Sequence, residues 1–293
     1  MPEIAATHRS HRRRNLYVLL AAMVGFYAWL RWFERRNVYQ PYATLEATGD
    51  EIGFPRKDVW LNTSDGVRLH GWYYPGHAGT NGRAFLLCHG NGGNISHRLD
   101  QYESLLGQGV AVLVFDYRGY GRSSGSPGET GTYRDAEAAF DWLLALGFQP
   151  AQIIAHGESL GGGVAAELAL RRPVGGLVLQ STFTSVTDLG AEIFPWLPVR
   201  TLSTIRYATR DKLGRIRVPL LVMHSRADTI IPFYHGERNF AAANEPKLFH
   251  ELRGDHNDTI ETGREAFNEG VRAFLARLGP ARKEIAGDTA ATP

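Results

Sequence analysis

The chain has 293 residues, 43% of them hydrophobic and 21% charged, enough apolar material for a large core in one big domain or two small ones. With 32 basic against 30 acidic residues the net charge is +2, and the lack of a basic run beyond the N-terminus excludes an electrostatic nucleic-acid surface. The single cysteine, Cys88, excludes an intrachain disulfide and a cysteine-built zinc site.

The first element is a membrane signal. "HRSHRRRN" at residues 8–15 precedes "LYVLLAAMVGFYAWLRWFERR", which is uncharged from Leu16 to Leu30. A helix over 16–33 would be about 27 Å long against a hydrocarbon core of about 30 Å. Tyr17, Trp29 and Trp32 fall at its ends, where interfacial aromatics belong. No small-x-small cleavage site follows the run, which argues against a removed signal peptide. A buried helix would not be apolar on every face directly after four arginines. The reading is a basic segment at 1–15 and an uncleaved transmembrane anchor at 16–33. Arg9, Arg12, Arg13 and Arg14 before it outnumber Arg31, Arg35 and Arg36 after it by one. The expected orientation is therefore N-terminus cytoplasmic and the domain that follows outside.

Residues 34–57, with Pro, Gly and mixed charge, read as a linker. "DVWLNTSDGVRLHGWYYPG" then carries two alternating runs around a turn, a β-hairpin pattern. From there apolar runs and helical patterns alternate: "RAFLLCHG", "NISHRLDQYESLLGQG", "VAVLVFDYRG", "YRDAEAAFDWLLALG", "QIIAHG", "LGGGVAAELALRR", "VGGLVLQS", "PLLVMHS", "IPFYHGERNFAAAN", "KLFHELRG" and "GREAFNEGVRAFLARLG". This alternation predicts an α/β fold with a mostly parallel, doubly wound sheet covered on both faces. This α/β domain, which the residues described next make the catalytic one, is placed at 58–279, and the small polar tail 280–293 is expected to be disordered. Residues 182–219 put more chain between consecutive strands than one crossover helix needs. Phe194, Trp196, Leu197 and Leu202 lie there around two prolines, so a short cap at about 183–218 is expected, with a plain long connection as the alternative.

The chemistry centres on Gly157-Glu158-Ser159-Leu160-Gly161, between a strand and a helix as the G-x-S-x-G nucleophile elbow requires. A serine hydroxyl is inert until a base takes its proton. The acid candidates downstream are Asp188, Asp211 and Asp228, and only Asp228 follows a strand directly. The base candidates are His235, in a helix; His250, inside a strand; and His256, on the glycine-led loop "GDHND". The chain order Ser159, Asp228, His256 is that of α/β-hydrolase triads. "LLCHGNGGN" ends the first parallel strand in bare backbone N–H groups. Asn91 there, with Leu160 after the nucleophile, is the expected oxyanion hole. The loop lacks the G-x-G-x-x-G spacing of a dinucleotide site, and no Lys-Ser/Thr follows. His89, His156 and His224 are read as neighbours that shape the site, and no histidine–carboxylate set has metal spacing.

Taken together, "LLCHGNGGN", "VFDYRGYGRSSG", "GESLGGG", "HSRADTIIP" and "GDHND" resemble the α/β-hydrolase superfamily. Within it they are most similar to the membrane-anchored branch of serine aminopeptidase-like or BEM46-like hydrolases. The resemblance covers about residues 58–278. It implies the α/β-hydrolase fold, the triad Ser159–Asp228–His256, an oxyanion hole around Asn91, and structural roles for Asp116 and Arg118. Glu158 stands where many relatives carry another polar or basic residue, which bears on substrate charge. The expected activity is hydrolysis of an ester or thioester, or an amide, through an acyl-enzyme, with a small-molecule or acyl substrate and no cofactor or metal. A serine aminopeptidase-like peptidase and a non-catalytic, membrane-tethered binding protein of the same fold are the alternatives.

Overall fold

A computed structural model describes residues 2–76 and 82–279, with side chains from residue 14 onward; the tail 280–293 lies outside the described residues. Helix α1 (Pro2–Val38) forms a unit of its own, separate from the unit that begins at Pro41. Within α1, residues 14–38 make one helix long and apolar enough to cross a membrane. Leu16, Val18, Leu19, Val24, Phe26 and Trp29 are all exposed. The helix runs on through Val38, past the apolar stretch. An Arg31–Glu34 ion pair of 2.7 Å supports that last part, and Arg35 and Arg36 sit favourably at the negative end of the helix dipole.

The second unit is built on one eight-stranded sheet. Its strands are β1 (Lys57–Asn62), β2 (Arg68–Tyr74), β3 (Ala84–Cys88), β4 (Ala111–Phe115), β5 (Ile153–Glu158), β6 (Gly176–Gln180), β7 (Leu220–Ser225) and β8 (Lys247–Leu252). In space they run β8-β7-β6-β5-β3-β4-β2-β1. The β1–β2 and β2–β4 pairs are antiparallel and all others parallel. The expected hairpin is thus the antiparallel edge of the sheet. Its turn is closed by a 3.0 Å bond from Gly66 N–H to the Thr63 carbonyl, with Gly66 at φ +81°, a left-handed conformation that glycine adopts without strain.

Residues of β3, β4 and β6 are buried throughout, and those of β5 up to Gly157, as strands covered on both faces must be. Phe85, Leu87, Val112, Val114, Ile154 and Val178 alternate along their strands and share one core with Tyr102 and Leu105 of α2 (Leu99–Leu106) and Phe267, Val271 and Phe274 of α9 (Arg264–Leu278). The intervening residues Leu86, Leu113, Ala155 and Leu179 are equally buried on the opposite face, given the two-residue alternation of a strand. Helices α3 (Glu129–Ala145) and α4 (Leu160–Arg171) pack side by side against the sheet there.

The segment 183–218 folds into three short helices, α5 (Val186–Ile193), α6 (Val199–Leu202) and α7 (Thr209–Leu213). Glu129 at the first turn of α3 accepts bonds from the amides of Arg206 and Tyr207 at 2.7 and 2.8 Å, which ties the returning chain to the domain. The α5–α6 end leaves Ile193 and Trp196 exposed, at 54% and 71%. Helix α8 (Tyr234–Ala242) follows β7, as expected.

Candidate active site

The site lies where β5 turns into α4. Ser159 sits at that junction with φ 52° and ψ −116°, a conformation that costs a non-glycine residue about 1–3 kcal/mol. Two glycines permit it. A Cβ on Gly157 would stand 2.2 Å from the Gly161 carbonyl oxygen, and one on Gly161 would stand 1.9 Å from the Cys88 carbonyl oxygen. The elbow therefore closes against the end of β3 only because neither carries a side chain. Ser159 N–H donates to the Gln180 carbonyl at 2.9 Å, which anchors the strained residue to β6.

The residues expected from the sequence converge here. Ser159 Oγ lies 3.1 Å from His256 Nε2, and His256 Nδ1 lies 2.8 Å from Asp228 Oδ2. All three are at most 8% exposed. Asp228 follows β7 and His256 follows β8, so each reaches the serine from the carboxyl end of a parallel strand. Asp228 is held on both oxygens: Oδ1 accepts the Ile230 and Ile231 amides at 3.0 and 2.7 Å, and Oδ2 also faces His224 Nε2 at 3.3 Å. Burial alone would raise its pKa, but the bonds from His224, His256 and the Ile231 amide outweigh that and hold it well below the usual carboxylate range. An ionised Asp228 only accepts, so the proton of neutral His256 sits on Nδ1. Nε2 is then free to accept from the serine hydroxyl.

The other candidates are engaged elsewhere. Asp188 accepts from Thr184 Oγ1 at 2.8 Å and Arg200 Nε at 3.2 Å, and Asp211 faces Arg210. His235 lies between Thr184 and Glu192, and His250 packs on Gly270 of α9. His156 bonds Gln180 Oε1 at 2.9 Å, away from the serine. Asp116 accepts the Ile95 amide at 2.9 Å, and Arg118 bridges Asp135 and Asp65; these bonds are the structural roles expected of them. Among the described residues no group of three or more His, Cys, Asp or Glu could hold a metal ion.

The glycine loop borders the serine: a Cβ on Gly90 would lie 3.5 Å from Ser159 Cβ. Its carbonyls are pinned from behind. Tyr117 Oη donates to His89 O at 3.0 Å, His89 Nδ1 to Gly90 O at 2.7 Å, and Tyr120 Oη to Asn91 O at 2.8 Å. In a trans peptide the C=O and the following N–H point in opposite directions. Fixing Gly90 O therefore aims the Asn91 N–H, and His89 does the fixing. Burial pushes the His89 pKa down to about 3, with the Arg98 charge adding to it, so its ring stays neutral. The same logic applies to the Leu160 N–H, whose peptide carbonyl, Ser159 O, accepts the Thr182 hydroxyl at 2.6 Å and the Gly162 amide at 3.1 Å.

Sequence reasoning missed Thr182 and Arg98. Thr182 lies just past the end of β6, beside the elbow strand, and that position is the signal it offered. Arg98 directly precedes α2, where a cation opposes the helix dipole; a charge in that place signals a partner outside the helix.

Residues 83–208 match the family described as alpha/beta hydrolase fold. The Mycobacterium tuberculosis protein Rv2307c is 39% identical over 262 residues, covering 89% of this chain and 92% of its own. The alpha/beta hydrolase domain-containing protein WAV2 of Arabidopsis thaliana is 32% identical, covering 87% of this chain and 92% of its own. The lysophosphatidylserine lipase ABHD12 of Mus musculus is 33% identical over 216 residues, 67% of this chain and 53% of its own. Among solved structures, the Pyrococcus furiosus esterase Pf2001 shares the fold with a TM-score of 0.68 at 23% identity, covering 82% of this chain and 98% of its own. The chain belongs to the alpha/beta-hydrolase superfamily.

Proposed function

We propose that this chain is a membrane-anchored serine hydrolase that cleaves an acyl ester or thioester through an acyl-enzyme. The observation that carries the reading is the unbroken relay from Ser159 Oγ through His256 to Asp228, at 3.1 and 2.8 Å, on a serine held in a left-handed elbow. His256 Nε2 takes the Ser159 proton as Oγ attacks the substrate carbonyl carbon. The carbonyl electron pair moves onto oxygen, where the Asn91 and Leu160 N–H groups hold it. Collapse breaks the bond to the leaving group, which takes the proton from His256. A water then gives a proton to His256 as its oxygen attacks the acyl carbon, and collapse breaks the bond to Ser159 Oγ, which takes that proton back from His256 as the acid leaves.

An acyl ester is favoured over a peptide because ABHD12, 33% identical, is a lysophosphatidylserine lipase. An apolar helix near the N-terminus and the exposed Ile193 and Trp196 also suit a substrate with an acyl chain. In this reading residues 16–33 span the membrane, 34–57 link, 58–279 catalyse with a cap at about 183–218, and the catalytic domain faces outward. The deciding experiment is labelling with a fluorophosphonate probe, wild type against Ser159→Ala. Label on the wild type alone is expected, and a folded wild type that takes none sinks the reading. Turnover of p-nitrophenyl acyl esters of increasing chain length grades the substrate. Carbonate-resistant pelleting and protease protection test the anchor and its side.

A further inference from the structure

The ion pair between Arg98 and Glu158 belongs to none of the roles above, yet it sits against the nucleophile. Glu158 immediately precedes Ser159. Its Oε2 accepts Arg98 Nε at 3.1 Å, and the two side chains are only 18% and 14% exposed. The same guanidinium reaches the glycine loop: Nη2 donates to the Gly92 carbonyl at 3.1 Å and Nη1 to the Asn94 carbonyl at 3.2 Å. A Cβ on Gly90 would lie 3.1 Å from Arg98 Nη2 and 3.2 Å from Glu158 Oε1. The pair therefore lies against Gly90, whose carbonyl belongs to the peptide that carries the Asn91 N–H.

Two physical consequences follow. A planar guanidinium with several donors in a fixed fork can hold two carbonyls and a carboxylate at once, which an ammonium cannot. And an unpaired carboxylate next to the serine would oppose the negative charge that develops on the oxyanion, while a paired one does so far less.

Resting on the proposed hydrolase reading, we infer that Arg98 is a positioning residue that locks the Gly90–Asn94 loop to the Ser159 elbow through Glu158, and that Glu158, occupied by Arg98, does not select substrate by charge. Arg98 touches no reacting atom; it acts by keeping the Asn91 N–H in register with the serine.

The test uses the full chain with Arg98→Lys, Glu158→Gln and the neutral pair Arg98→Gln/Glu158→Gln. Arg98→Lys keeps a charge for Glu158 but cannot span the three acceptors. Its kcat is expected to fall about 10- to 100-fold with KM unchanged, short of or equal to the loss of one whole oxyanion donor. Glu158→Gln is expected to leave the ratio of kcat/KM between a neutral ester and one bearing a carboxylate as in the wild type. Should Glu158→Gln fail to fold because it strands the Arg98 charge, the neutral pair carries the same ratio measurement. A folded Arg98→Lys with wild-type kcat overturns the positioning role, whatever its Tm, and a several-fold change of that ratio overturns the claim about Glu158. A wild type inert to ester and fluorophosphonate alike overturns the hydrolase reading itself and this inference with it.

Discussion

Replacing Thr182 with valine keeps the size and β-branching of the side chain and deletes one donor. In the structure Ser159 O accepts that hydroxyl at 2.6 Å and the Gly162 amide at 3.1 Å. Thr182 is packed tightly there, since a Cβ on Gly162 would stand 2.3 Å from its Oγ1, so valine has no room to turn away. Losing one net hydrogen bond costs about 1 kcal/mol, which for a domain of this size lowers Tm by about 2–4 °C. The catalytic effect is the more telling one. Without its stronger restraint the Ser159–Leu160 peptide can rock, and the Leu160 N–H points less well at the oxyanion. Loss of a whole oxyanion donor costs about 10²- to 10³-fold in kcat. Because Gly162 still holds the carbonyl, a partial loss of about tenfold is expected, equal to about 1.4 kcal/mol of barrier. The assay is kcat and KM on a p-nitrophenyl ester beside a thermal melt, for Thr182→Val and Thr182→Ser. Serine keeps the hydroxyl and should restore most of kcat. A valine variant that melts lower but turns over like the wild type would refute the peptide-locking argument.

Three further predictions follow from the same geometry. Asp228→Asn places an amide against His256 Nδ1, which favours the wrong tautomer, and kcat should fall about 10⁴-fold. Asp228 has a depressed folded pKa, so the stability it contributes is present above its unfolded value of about 3.9 and is lost as pH falls below it. The Tm gap between wild type and Asp228→Asn should therefore shift against the wild type from pH 5 to pH 3, and a pH-independent gap would contradict the assignment of that shift. Gly161→Ala drives a Cβ to 1.9 Å from the Cys88 carbonyl oxygen, a backbone atom that cannot turn aside; the variant should lose fluorophosphonate labelling and most of its soluble yield, and a well-folded, active Gly161→Ala would show that the elbow has slack. Phe267→Ala empties a fully buried position in the core shared by α2, α9 and the sheet and should cost about 3–5 kcal/mol in urea unfolding, with KM of the surviving enzyme unchanged.

Much of the fold was legible in the sequence because its signals are local. Apolar runs such as "AVLVF" over Ala111–Phe115 and the helical spacing after them announce a strand buried on both faces and its covering helix. The G-x-S-x-G pattern at a strand-to-helix junction marks a turn that only glycines allow. Chain order then singled out Asp228 and His256, because an acid and a base that follow strands emerge at the same edge of a parallel sheet. The α/β alternation, the elbow and the apolar N-terminal helix were thus determined by the sequence alone.

The remainder depends on contacts between distant stretches of chain. Thr182 is 23 positions from the Ser159 carbonyl it holds, and Arg98 is 60 from Glu158, so no periodicity links either pair. Asp188 and Asp211, set apart from Asp228 in the sequence because neither follows a strand, are taken up by near neighbours in the chain, Thr184 and Arg200 for the first and Arg210 for the second. Glu158, whose place beside the nucleophile bears on substrate charge when read from the sequence, is half of an ion pair with Arg98 in the tertiary structure. The strand order β8-β7-β6-β5-β3-β4-β2-β1 brings β3 beside β5, and with it the guanidinium that follows the β3 loop beside the carboxylate that ends β5. Residue types and local turns can be read along a chain, but the partner of a buried charge is chosen only when the sheet assembles.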